Sequence, residues 1–157
     1  MTEWFECKVK YDKTQEDGLI KSTSEVYLVD AISFTEAEKR FIEEIEPFMA
    51  GEFIVTDIKR ARLAEVMESE DLTDDKWFKA RVAYITLDEK KGTEKRIMQS
   101  ILVQAKDFRS SLLNLDKGMK GTLGDWEIAS ITETKIMDVF RAKPDEESDE
   151  EAVGDNQ

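Results

Sequence analysis

The stretch Trp4-Phe5-Glu6-Cys7-Lys8-Val9-Lys10-Tyr11 returns as Trp77-Phe78-Lys79-Ala80-Arg81-Val82-Ala83-Tyr84, with Trp, Phe, Val and Tyr in the same places. The correspondence runs on in order through Gly18 and Gly92, Lys21 and Lys95, Leu28-Val29 and Leu102-Val103, Ala31 and Ala105, Phe34 and Phe108. After a one-residue slip it resumes with Gly51 and Gly124, Ile58 and Ile131, Val66 and Val139. Similar residues stand between them, Glu52-Phe53 against Asp125-Trp126 and Leu63 against Ile136. A collinear series of this kind marks an internal duplication, so one supersecondary unit used twice has to build the fold.

Each copy reads the same way. In residues 4–11, Phe5, Cys7, Val9 and Tyr11 alternate with Trp4, Glu6, Lys8 and Lys10, the period-2 signature of a half-buried strand. The polar residues 12–18, ending in Asp17-Gly18, predict a hairpin loop, and a second strand runs from about Lys21 to Ala31. Ser33 or Thr35 then caps a helix on which Phe34, Ala37, Phe41, Ile45 and Phe48 recur at helical spacing, and Pro47 and Gly51 end it. A long third strand, roughly Glu52 to Met67, closes the unit. The second copy predicts strands at 77–87, 94–105 and 125–140 and a helix from about Asp107 to Lys120, with Phe108, Leu112, Leu115 and Met119 inward.

The expected fold class is therefore α+β, two ββαβ repeats related by a pseudo-twofold, with mainly antiparallel sheet. The repeats span residues 1–67 and 77–140, joined by an acidic linker at 68–76. A unit of about 65 residues with one helix over three strands is marginal alone, so the two repeats are expected to share a core, as a fused dimer would. The third strands are about twice the usual length, and their distal parts, Arg60 to Met67 and Glu133 to Phe140, are expected to cross to the other half's sheet. From Arg141 to Gln157 the chain carries seven acidic against two basic residues and almost nothing apolar, a composition that predicts a disordered acidic tail.

The whole chain of 157 residues has 23 Lys and Arg against 36 Asp and Glu, a net charge of −13 of which the tail supplies only part. Such acidity opposes non-specific binding to nucleic acid. No apolar run approaches a bilayer span, which points away from a membrane, and nothing at the N-terminus reads as a secretory signal. One cysteine excludes an internal disulfide and fits a reducing cytoplasm. The chain has no histidine, which removes the commonest general base, the Ser-His and Cys-His pairs and most zinc sites.

The opening Trp4-Phe5-Glu6-Cys7-Lys8-Val9-Lys10-Tyr11, the segment Tyr27-Leu28-Val29-Asp30-Ala31 with Phe34-Thr35-Glu36-Ala37-Glu38, the run Ile85-Thr86-Leu87-Asp88-Glu89-Lys90 and the close Ile136-Met137-Asp138-Val139-Phe140 resemble an uncharacterised domain-of-unknown-function family of Bacteroidota and their phages. The resemblance covers residues 3 to about 140. It implies no activity and no site residues.

Among chemistry-bearing residues, Cys7 shares a strand face with Phe5, Val9 and Tyr11 and is Ala80 in the other copy, which reads as a small core filler. The carboxylates follow no metal-loop spacing, and Gly118, Gly121 and Gly124 follow a helix where a phosphate cradle would precede one. No catalytic residue, metal ligand or cofactor is assigned. The remaining signal is the face carrying Trp4, Glu6, Lys8 and Lys10 in one copy and Trp77, Lys79, Arg81 and Ala83 in the other, aromatic and basic on an acidic molecule. Trp and Arg are preferred interface anchors. The chain thus reads as a non-enzymatic cytoplasmic interaction or regulatory module with a protein partner, contacted by Trp4, Lys8, Lys10, Trp77, Lys79 and Arg81. It would be a monomeric pseudo-dimer or a weak homo-oligomer. The alternative is a nucleic-acid-related role: a single-strand binder stacking bases on the same face, or an acidic mimic that occupies a partner's DNA-binding groove. Packing of the tryptophans inside the protein competes with both.

Overall fold

Each opening strand runs between two neighbours, and in both cases the alternation of its side chains decides which sheet face becomes a core. The structure, a computed structural model, describes residues 2–142; the acidic tail from residue 143 lies outside the described residues. Among the described residues there are eight strands, two helices and one 3-10 turn: β1 (Glu3–Thr14), β2 (Ile20–Ala31), α1 (Phe34–Ile45), the turn Glu46–Phe48, β3 (Phe53–Ala61), β4 (Glu65–Met67), β5 (Lys76–Asp88), β6 (Thr93–Ala105), α2 (Phe108–Gly118), β7 (Asp125–Glu133) and β8 (Ile136–Phe140). The class is α+β, with two four-stranded sheets ordered β3-β1-β2-β8 and β4-β6-β5-β7.

The chain divides into two compact units. One holds the described chain to Ala61 together with the described residues from Asp138 onward; the other is Arg62–Met137. The predicted long third strands are each broken in two, at residues 62–64 and 134–135, and the two pieces belong to different sheets. β4 runs parallel to β6, pairing Glu65 with Ile101 and Met67 with Val103, and β8 lies beside β2. The exchange is held at the second break by Thr134, whose backbone N–H and hydroxyl both donate to the Trp77 carbonyl, at 2.9 and 2.8 Å.

In the first unit β1 pairs antiparallel with β2 and β3, and Phe5, Cys7 and Val9 turn toward α1. They pack with Val29, Ala31, Ala37, Phe41 and Ile45 into one core cluster, to which Phe140 of the exchanged β8 adds a ring stacked on Tyr27 at 5.5 Å. In the second unit Ala80, Val82, Ile101, Val103, Leu115 and Met119 form the corresponding cluster, with Met67 of the exchanged β4 against it. Both β1 and β5 meet a bulge at the same place: the register slips between Lys8 and Val9, leaving Thr56 of β3 extra, and between Arg81 and Val82, leaving Ala129 of β7 extra.

Both helices start on a side-chain cap. Ser33 Oγ accepts from the Glu36 N–H at 3.1 Å, and Asp107 Oδ1 from the Ser110 N–H at 2.7 Å. The latter bond holds the Asp107 carboxyl below its ordinary range. Three expected core positions lie elsewhere, and Phe108, which opens α2, is one of them, 54% exposed. Phe48 is exposed because α1 ends at Ile45 and the turn containing Pro47 carries it off the helical face. Phe34 opens the helix half-exposed, edge-on to Phe5 at 4.9 Å and under the Arg60 guanidinium. Gly18 and Gly92 close the two hairpins at φ +84° and +65°, a conformation that side-chain-bearing residues rarely adopt.

Candidate functional site

Because β1 and β5 expose alternate residues on the face turned from the helix, the six expected contact residues fall in two rows, one on each sheet. On the first sheet Trp4, Glu6, Lys8 and Lys10 stand in line on β1. Their β3 neighbours across the register are Ala61, Lys59, Asp57 and Ile54. Glu6 pairs loosely with Lys59 at 3.9 Å, whereas Lys8 and Lys10 are exposed and make no ion pair with a described carboxylate. Trp4 is half-buried, with the Arg141 guanidinium 5.0 Å above its ring.

The second row differs in a way that corrects one expectation. Trp77 is only 2% exposed and cannot serve as a contact residue. Trp77 and Phe78 point to opposite sides of β5, and both are buried, so the sheet is covered on both faces where this strand begins. Ala83 and Leu102 on the same face as Trp77 are buried as well. Lys79 and Arg81 remain exposed, each without an ion pair to a described carboxylate. Their cross-strand neighbours on β7 are Thr132 and Ser130, small hydroxyl side chains that leave the cationic heads open to solvent.

Two polar clusters that sequence reading missed sit at the joints of the exchanged strands. In the first unit the nearly buried Asp30 carboxylate accepts from Arg40 at 2.7 Å and from the Ala142 backbone N–H at 2.5 Å. Arg40 also donates to the Asp30 carbonyl. In the second unit Gln104 occupies the matching strand position: its Oε1 accepts from the Ser69 N–H at 2.9 Å, and its carbonyl accepts from Asn114 at 2.9 Å. Ser69 lies three residues past Val66 and Ala142 three past Val139, so each cluster fixes the chain just beyond an exchanged strand. The linker is correspondingly ordered. Asp74, nearly buried, accepts from the Ser69 hydroxyl at 2.5 Å and from Asn114 at 3.4 Å, and Asp71 caps Thr73. A carboxylate inside the apolar run Leu28-Val29-Asp30-Ala31 is the sign that could have exposed the first cluster.

Cys7 lies fully inside the first core, its thiol donating weakly to the Phe5 carbonyl. Burial pushes its pKa up to about 12, with the Glu6 and Asp57 carboxylates adding to the shift. Burial, with the Glu25 carboxylate beside it, raises Tyr27 in the same direction. Below the ordinary thiol value of 9.0 both folded and unfolded chains keep the proton; above it the unfolded chain loses its proton first, so stability falls from pH 9 to about 12. Urea titrations across that range are expected to show a flatter decline for Cys7→Ala, the residue found at Ala80, than for wild type. An identical pH slope in the two proteins would refute this account.

Among the described residues no group of three or more His, Cys, Asp or Glu side chains is placed to hold a metal ion, and no helix is long and apolar enough to cross a membrane. A search of curated proteins finds no match to the chain. A family model does match, over residues 3–142, a span that takes in both sheets, both rows of cations and both joint clusters. The chain accordingly belongs to the family described as domain of unknown function DUF4494.

Proposed function

We propose that the protein is a non-enzymatic interaction module that holds an acidic protein partner through exposed cations on its sheets, Lys79 and Arg81 on β5 or, in the other unit, Lys8 and Lys10 on β1. The observation that carries this reading is the Lys79–Arg81 pair: two exposed cations with no ion pair to a described carboxylate, flanked by hydroxyls, on a molecule of net charge −13. Trp4 and Trp77 act in packing, one beneath Arg141 and the other buried. With neither ring open for a base to stack on, this arrangement favours a protein over single-stranded nucleic acid.

The chain is also read as a duplicated ββαβ unit. Support comes from the matching bulges at Thr56 and Ala129, the matching helix caps Ser33 and Asp107, and the matching acceptors Asp30 and Gln104. A reducing cytoplasmic setting fits a single, buried thiol.

The test is affinity capture with full-length wild type and a Lys79→Glu/Arg81→Glu variant of unchanged circular dichroism, with nuclease present. Proteins retained by wild type should be lost by the variant, and retention should weaken as salt is raised. Equal retention by both proteins would overturn the reading, and capture abolished by nuclease would move it to nucleic acid.

A further inference from the structure

β6 is paired along its whole length with β5 on one side. On its other side, among the described residues, it is paired only at 101–103, by β4, and the ladder ends where the Ala64 N–H meets the Ser100 carbonyl at 2.8 Å. Every residue from 93 to 99 is exposed. This stretch contains no proline and no bulge, two of the devices that blunt an edge; the device it does carry is charge, at Glu94, Lys95 and Arg96, which repels like strands and selects by sign. It is a regular strand edge, left open for seven residues directly beyond the point where the chain adds a strand of its own.

The side chains on that edge select among occupants. Lys95 and Arg96 lie in the middle of it, and Arg62 lines the open cleft of about 390 Å³ formed with Leu63, Ala64, Met98 and Ser100. Glu94 is the one acid among residues 93–99, and Arg96 is already engaged by Glu127. Two copies of this edge paired antiparallel would bring cations against cations, which disfavours self-association. An acidic strand meets the opposite situation. Ile97 and Met98, 42% and 38% exposed, face opposite sides of the sheet, so an added strand would find an apolar contact on each side together with the cations.

We propose that residues 93–99 of β6 take an extended acidic segment of a protein partner as an added strand, its main chain continuing the sheet and its carboxylates meeting Lys95 and Arg62. The proposal rests on the acidic-partner reading above and adds the edge and the backbone mode of binding.

The probe is an alternating valine–glutamate heptapeptide, with the valine–lysine peptide as control, added to the full chain. In wild type, saturating glutamate peptide should slow amide hydrogen exchange by about tenfold or more within residues 93–99 and not in the hairpin of residues 12–18. Lys95→Glu should weaken binding by about tenfold. Glutamate-peptide binding without protection of 93–99, equal binding of the lysine peptide, or no binding overturns the proposal. If protection is absent while Lys79→Glu/Arg81→Glu abolishes binding, the edge is wrong and the sheet-face reading stands. If binding ignores both variants, both fall.

Discussion

Replacing Phe41 by alanine is expected to lower the stability of the protein by about 3–5 kcal/mol, the usual cost of emptying a phenylalanine-sized space in a packed core. Phe41 has no exposed surface, and it is the largest side chain that α1 contributes to its core cluster. Its ring also leans on Tyr27 at 5.6 Å, and Tyr27 in turn stacks on Phe140, so the loss reaches the exchanged strand β8. The matched control is Leu113→Ala on α2, where an exposed side chain leads to a change within about 0.5 kcal/mol. Urea-unfolding midpoints check both. A loss below about 1 kcal/mol for Phe41→Ala would mean that the first unit is not organised around this ring.

The second large effect lies in a polar group. Asp30→Ala leaves Arg40 facing a carboxylate that is gone and the Ala142 N–H without its acceptor, at an expected cost of about 2–4 kcal/mol. The partly exposed Arg40 side chain recovers some solvation, which keeps the figure below that of a fully buried pair. Most of that cost should be the stranded charge and not the worth of the bond. The double variant Asp30→Leu/Arg40→Met is therefore expected to be more stable than Asp30→Ala alone, because no unpaired charge remains. Hydrogen exchange adds a local readout: Asp30→Ala should speed exchange across β8, whereas Phe41→Ala should speed it throughout the first unit. A double variant no better than Asp30→Ala would assign the ion pair a net stabilising role that the stranded-charge argument denies it.

The elements of this fold were legible because they rest on local periodicities. Alternation at Phe5, Cys7 and Val9 marks a strand covered on one side, and the spacing of Ala37, Phe41 and Ile45 marks a helix with one buried face. What lay beyond such patterns was set by distant partners. The switch of sheets followed from the length of the third strands, and Glu65–Met67 and Ile136–Phe140 do lie in the other sheet; the break at residues 62–64 was not legible, because the run from Glu52 to Met67 holds no proline or glycine to mark it. The cations Lys8, Lys10, Lys79 and Arg81 stayed where alternation put them. Trp77 did not fit because alternation gives a side chain's direction and says nothing of what covers that face; the burial of Ala83 and Leu102 on the same face is visible only in three dimensions. The joint at Asp30 depends on pairing across 10 residues to Arg40 and across 112 to Ala142, and the second of those has no local trace.

The exchange of β4 and β8 also sets an order of events on the ribosome. Among the described strands, the sheet that contains the first receives its outer strand from the eighth, so the edge of β2 stays unpaired until synthesis has passed Phe140. The second sheet is different: β4 is already made when β6 emerges beside it. A chain terminated at residue 135 would thus leave the sheet of its most recently made strands whole and the sheet of its oldest strands incomplete. In a nascent chain that persistent edge is a site for wrong pairing, and damage to β8 is felt in the sheet that holds β1.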